Sequence, residues 1–122
     1  MDRVHSLAEI NDRFAIADLY DRQLAAAEAW DFALYDTTFA PDAEIDLSDF
    51  GVPKQRYPAY RAWLASLAPS MPRAQRITGG LRLALRGDEA TTRVPVVCYV
   101  TVLRDGAPTL TTTSLFYNDV LR

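Results

Sequence analysis

RAQRITGGLRLALRGDEATTRVPVVCYVTVL, residues 73–103, is the stretch that decides the fold. Thr, Val, Leu and Tyr dominate it, as a pleated, half-buried surface favours. Gly79-Gly80 and Gly87-Asp88-Glu89 divide it into strands at 73–78, 81–86 and 90–103. Pro95 cannot donate to a ladder, so it predicts an edge or a bulge in the third strand. Toward the C-terminus, Asp105-Gly106-Ala107 makes a turn into a last strand over 109–121.

Upstream the period changes from two to three or four. Ser6-Leu7-Ala8-Glu9 has the form of a capping box and opens a helix over 7–29. Leu7, Ile10, Phe14, Ala17, Leu24 and Ala27 form its expected buried stripe, with Asp12 and Arg13 exposed. A short second helix is predicted over 30–39, stopped before Pro41. Residues 43–47 read as a short strand and 49–55 as a loop. A third helix begins near Pro58 and runs to 68, with Tyr60, Trp63, Leu64 and Leu67 on its apolar face. Helices first and an antiparallel meander second make the class α+β.

Composition limits the function. The 122 residues are 49% hydrophobic, enough for one core, so 1–122 is read as one domain. Net charge is −3, which argues against a nucleic-acid partner. No apolar run approaches the ~20 residues of a membrane span, and Met1-Asp2-Arg3-Val4-His5 does not read as a signal peptide. A cytoplasmic protein is expected. The one cysteine, Cys98, lies in an apolar run and reads as a buried, inert thiol. One histidine and scattered acids give no metal-ligand spacing, and no glycine-rich phosphate loop precedes a helix.

The order α-α-β-α-β-β-β-β carries four local motifs: Ala29-Trp30-Asp31, the Phe39-Ala40-Pro41-Asp42-Ala43 entry to the first strand, Arg76-Ile77-Thr78-Gly79-Gly80, and Gly87-Asp88-Glu89-Ala90. Together they resemble the SnoaL-like and scytalone-dehydratase-like branch of the NTF2-like superfamily. The resemblance implies an NTF2-like cone, three N-terminal helices packed on a curved antiparallel sheet. It also implies a cofactor-free pocket for a hydrophobic small molecule and a homodimer through the outer sheet face. Members usually continue into a further strand after the position of Arg122. An exposed sheet edge or a longer natural chain is therefore expected.

In that branch a cavity histidine stands where this chain has Arg76, and the one histidine here is His5. Arginine stays protonated, so it cannot serve as a base. It can hold a carboxylate, phenolate or enolate, or pair with Asp46 or Glu28. By the resemblance Asp46 faces the cavity mouth; a carboxylate in an apolar cone has a raised pKa and suits acid–base work. Its other reading is a turn cap with Ser48. Tyr20, on the long helix, is the third catalytic candidate or a core residue. Glu28 lies near the family's first-helix aspartate, with Ala26 as the alternative match. Tyr35, Tyr60, Trp63 and Tyr99 are expected to line pocket or core. Val94, Thr113 and Leu47 replace other residues of the scytalone-dehydratase set, so that mechanism is not available. Arg93-Val94-Pro95 likewise lacks the aspartate of an epoxide-hydrolase-like site.

The sequence thus points to a cyclase, isomerase or dehydratase (a lyase) acting on a polyketide- or terpenoid-like molecule in biosynthesis. The rival is a non-catalytic ligand-binding or dimeric assembly module with a degenerate pocket.

Overall fold

The computed structural model describes residues 3–122; Met1 and Asp2, part of the segment read as no signal peptide, lie outside the described residues. Helix α1 spans Leu7–Ala29. Ser6 caps it, its Oγ accepting the Glu9 N–H at 3.2 Å. The reciprocal half of the capping box is replaced: the Glu9 carboxylate takes Arg3 and His5 instead. Trp30, at φ 52, stops the helix in the left-handed region. Helix α2 is one turn, Phe32–Tyr35, capped by Asp31, and so is shorter than the expected 30–39. Strands β1 (Glu44–Ile45) and β2 (Gln55–Arg56) form a small ladder of their own. Helix α3 follows at Tyr57–Leu67 with Pro58 in its first turn.

The main sheet is β3 (Arg73–Thr78), β4 (Arg82–Arg86), β5 (Glu89–Arg104) and β6 (Ala107–Leu121), all antiparallel neighbours of β5. β6 covers one edge of β5 along nearly its whole length. β3 and β4 share the other edge in succession, as one interrupted strand. The break has a simple count. Thr78 pairs with Val96 and Arg82 with Arg93, so residues 79–81 oppose only 94 and 95. That is a bulge, and it resolves the reading of Pro95: a central-strand proline is tolerated where the ladder is already open.

The extra residue flips the parity of the faces. Even positions 74, 76 and 78 point inward on β3, odd positions 83 and 85 on β4. Arg76 thereby keeps the inward orientation of Cys98, its register partner. The bulge is sterically tight. A Cβ on Gly79 would lie 2.7 Å from Pro95 Cγ, whereas one on Gly80 meets nothing within 4 Å. Gly79→Ala should therefore cost about 1–3 kcal/mol in urea unfolding, while Gly80→Ala stays close to wild type. Equal stabilities for the two would remove the bulge from the account.

The core has two parts. Ile16 and Tyr20 of α1 pack on Ala90, Val94, Val96 and Cys98 of β5; Val96 is 1% exposed. Ala26, Ala27, Tyr35 and Leu64 form a helical cluster ringed by Trp30, Phe32, Phe39, Tyr60 and Trp63. The expected α1 stripe is corrected. Leu7 and Phe14 are 80% and 68% exposed. Ala27 is buried as expected, but toward the N-terminus the helix is rotated so that Ile16 and Tyr20, outside the expected stripe, face the interior, and Arg13, expected outside, has a buried Nε. Tyr20 explains the rotation, because its hydroxyl is bonded to the sheet.

Candidate functional site

Two polar groups sit on the inward face of the sheet. The first is built on a cross-strand pair. Thr92 of β5 and Asp119 of β6 are direct register partners, both turned inward. Tyr20 of α1 seals them. Its hydroxyl lies 2.6 Å from Thr92 Oγ1 and donates to Asp119 Oδ2 at 2.5 Å. A phenol has one proton, so the Thr92 hydroxyl must be the donor in the other bond. Burial raises the Asp119 pKa, and the bond from Tyr20 partly opposes this. Burial first, then the bond to Asp119, raise the Tyr20 pKa, so the phenol stays neutral.

Tyr20 and Asp119 line a cavity of about 760 Å3. Its walls are Leu19, Tyr20 and Gln23 of α1, residues within the segment 37–44, and the end of β6 at 118–122. The volume suits a small organic ligand. A pH dependence follows. Asp119 holds its proton more tightly folded than unfolded, so its share of stability is greatest below the ordinary value of 3.8. That share is lost as pH rises through the raised folded value. Across this window the urea midpoint of wild type should fall relative to Asp119→Asn. Parallel curves throughout would mean that burial does not hold this carboxyl up.

The second group is Arg76. Its guanidinium lies among Tyr117, Tyr35, Tyr60 and Cys98. Nη1 is buried with no hydrogen-bond partner. No carboxylate among the described residues forms a salt bridge with it. Burial pulls its pKa down, but the surrounding phenols and thiol pull it up and win, so the charge stays. Burial pushes Tyr117 up to about 12, so that phenol is neutral at physiological pH. The cage is therefore a cation among neutral groups. Tyr117 and Asp119 are successive inward residues of β6, roughly 7 Å apart along the strand. By register Arg76 stands opposite Cys98, and Cys98 opposite Thr113, so its backbone lies three inward positions along β6 from Asp119.

Of the residues named from sequence, Tyr20, Arg76, Tyr35 and Tyr60 are brought to the interior. Trp63 stays in the helical cluster, 5.9 Å from Tyr60. Asp46 is a correction. It is exposed, and its Oδ1 accepts the Ser48 N–H at 3.0 Å. Hydrogen bonds from Ser48 lower its pKa rather than raise it. The cause is that β1 is two residues long and pairs only with β2, so Asp46 falls in a turn outside the cone. Glu28 is exposed and accepts the backbone N–H of Arg76 at 3.4 Å, not its guanidinium. Tyr99 is also corrected. Odd positions of β5 point outward, and it is 37% exposed. Glu28 and Tyr99 instead share a shallow outer hollow of about 380 Å3 with 72–75. Sequence reasoning missed Thr92, Tyr117 and Asp119. The strand alternation Leu115, Tyr117, Asp119, Leu121 was the available signal, since apolar neighbours at i±2 share a face. Among the described residues no cluster of His, Cys, Asp and Glu could hold a metal.

The family model described as a SnoaL-like domain matches residues 8–122. The chain is 33% identical over 94 residues to protein Rv2910c of Mycobacterium tuberculosis, covering 77% of this chain and 63% of that protein. It spans less than two thirds of the relative's length. Among solved structures, the Kfla4162 protein from Kribbella flavida superposes with a TM-score of 0.80 at 20% identity, over 90% of this chain and 79% of that one. Hexachlorocyclohexane dehydrochlorinase LinA-type3 from Novosphingobium barchaimii gives 0.68 at 19% identity, over 92% and 91%. The shared architecture is the NTF2-like cone, helices packed on an open antiparallel sheet.

Proposed function

This chain belongs to the SnoaL-like domain family of the NTF2-like superfamily, and from that premise we propose that it is a cofactor-free cyclase, isomerase or lyase acting on a hydrophobic small molecule. Arg76 receives the negative charge that develops on a substrate oxygen. One observation carries the reading: a buried guanidinium with a partnerless Nη1, ringed by neutral phenols. A cation held in this way costs stability unless an anion arrives to meet it. Fixed in place beforehand, it stabilises an enolate or phenolate without reorganising. The aromatic surroundings suit a flat, cyclic, polyketide- or terpenoid-like skeleton. A structurally similar protein is named a hexachlorocyclohexane dehydrochlorinase.

The carrier-module reading is favoured by a different observation: Asp46, the proton-transfer candidate from sequence, lies outside the cone. Binding of β-naphthol, followed by the absorbance of its naphtholate, tests the proposal. The protein should bind the phenol and ionise it well below its solution pKa. It should bind the methyl ether, which cannot ionise, more weakly. Equal affinity for phenol and ether, with no naphtholate band, would overturn the assignment of Arg76.

A further inference from the structure

We propose that this chain assembles head to tail, the outward face of α1 of one copy docking on the outer face of the sheet of the next. Two unpartnered surfaces of one molecule carry the inference, and they match in charge, in apolar content and in length. The first is on α1. Leu7, Ile10 and Phe14, with Val4 before them, are exposed on the side of the helix that faces away from the sheet. Asp18 and Asp21 continue that face, at i+4 and i+7 from Phe14. Neither forms a salt bridge among the described residues. Arg22, four residues beyond Asp18, is turned onto Thr37 instead. The face is thus apolar in its first half and acidic in its second.

The second surface is on the sheet. Arg82 and Arg93 are direct register partners on β4 and β5, outward and exposed. Like charges placed opposite one another cost stability, and neither guanidinium has a salt bridge among the described residues. Arg93 is held 3.9 Å from the centroid of the Phe116 ring, and its Nη1 donates to Asn118 Oδ1 at 3.2 Å. Ile77, Tyr99 and Phe116 are exposed on the same face, which is basic on a protein of net charge −3. The lengths agree. The midpoint of Asp18 and Asp21 lies about 11 Å along the helix from that of Ile10 and Phe14. Arg93 lies about 13 Å along β5 from Val97, the register partner of Ile77. Acids can therefore meet Arg82 and Arg93 while Phe14 and Ile10 cover Ile77 and Tyr99.

Ile16 and Tyr20 fix α1 to the inner face of the sheet, so the two surfaces look in opposite directions. Two copies cannot use both reciprocally, and a contact of this kind propagates from copy to copy. Pairing of two sheets face to face, the arrangement that the family resemblance implies, would instead put Arg82 and Arg93 of both copies into one interface. The only acid at an outward strand position among the described residues is Glu89, at the end of the sheet beside Arg122.

Sedimentation velocity of the full chain tests the proposal. Wild type should be a 13.6 kDa monomer when dilute and exceed twice that mass when concentrated. About 1 M salt should suppress the rise by screening exposed charges. The double change Asp18→Arg with Asp21→Arg should weaken association about tenfold or more, as should Arg82→Glu with Arg93→Glu. All four changes in one chain should restore it, because the two surfaces again carry opposite charge. A face-to-face dimer would ignore the helix reversal. Phe14→Ser, at an exposed position, should also lose assembly, and it decides the matter should a reversed chain fail to fold by circular dichroism. A wild type that stays monomeric or stops at a dimer, a helix reversal without effect, or a folded four-fold variant that stays dissociated overturns the proposal.

Discussion

Arg76→Met is expected to abolish β-naphthol ionisation and, at the same time, to make the protein more stable. The two effects have one source. The wild-type guanidinium is desolvated with no carboxylate against it among the described residues. Replacing a buried charge by a hydrophobic side chain of similar volume stabilises by about 1–4 kcal/mol in favourable cases. The same replacement removes the cation that makes a naphtholate affordable in an apolar cone. Arg76→Lys separates charge from shape. It keeps a cation but loses the planar fork, so ionisation should weaken without vanishing. A rise in urea midpoint with Arg76→Met, paired with loss of the naphtholate band, is the expected result. A fall in stability would mean that the guanidinium is held by contacts stronger than its desolvation.

The largest loss of stability is expected from Tyr35→Ala. Tyr35 is buried at the centre of the helical cluster, with Ala26, Ala27 and Leu64. Its ring lies 6.2 Å from Phe32 and 6.0 Å from Phe39, and Phe39 stacks at 4.7 Å on Tyr57. Truncating a buried aromatic costs about 3–5 kcal/mol, since the cavity adds to the lost transfer energy. The thermal midpoint should fall by about 10 °C or more. Tyr35→Phe keeps the packing and should stay near wild type. It also isolates the phenol's part in the Arg76 cage, so a naphthol effect without a stability effect would place that hydroxyl in the site. A melting point for Tyr35→Ala within a few degrees of wild type would contradict the packing described for α2 and α3.

Local chemistry made much of the fold legible. The run of β-formers from 73, the turns at Gly87-Asp88 and Asp105-Gly106, and the Ser6 cap each fixed an element boundary to within a residue or two. The reason is that period, turn conformation and capping act over three or four residues. Arg76 was legible too, because Arg76-Ile77-Thr78-Gly79-Gly80 resembles the segment that carries the family's cavity histidine. The rotation of α1 was not. Leu7, Ile10 and Phe14 continue the stripe of Ala17, Leu24 and Ala27 at helical spacing, and Ile16 and Tyr20 offer an alternative to its first half. A bond from Tyr20 to residues 72 and 99 positions away selects between them.

Asp46 and Asp119 make the same point about the site. Taken alone, each is an acid in or beside a strand. Asp46 lies next to a two-residue ladder and stays in water. Asp119 lies near the end of a fifteen-residue strand, opposite Thr92 and under Tyr20, where burial raises its pKa. The sequence by itself determined the elements and the class, since those follow from spacing along the chain, and its family resemblance pointed to the inward guanidinium. Only the tertiary structure decided which carboxylate faces the cavity, because desolvation and hydrogen bonding come from neighbours that meet only when the strands and α1 are in register.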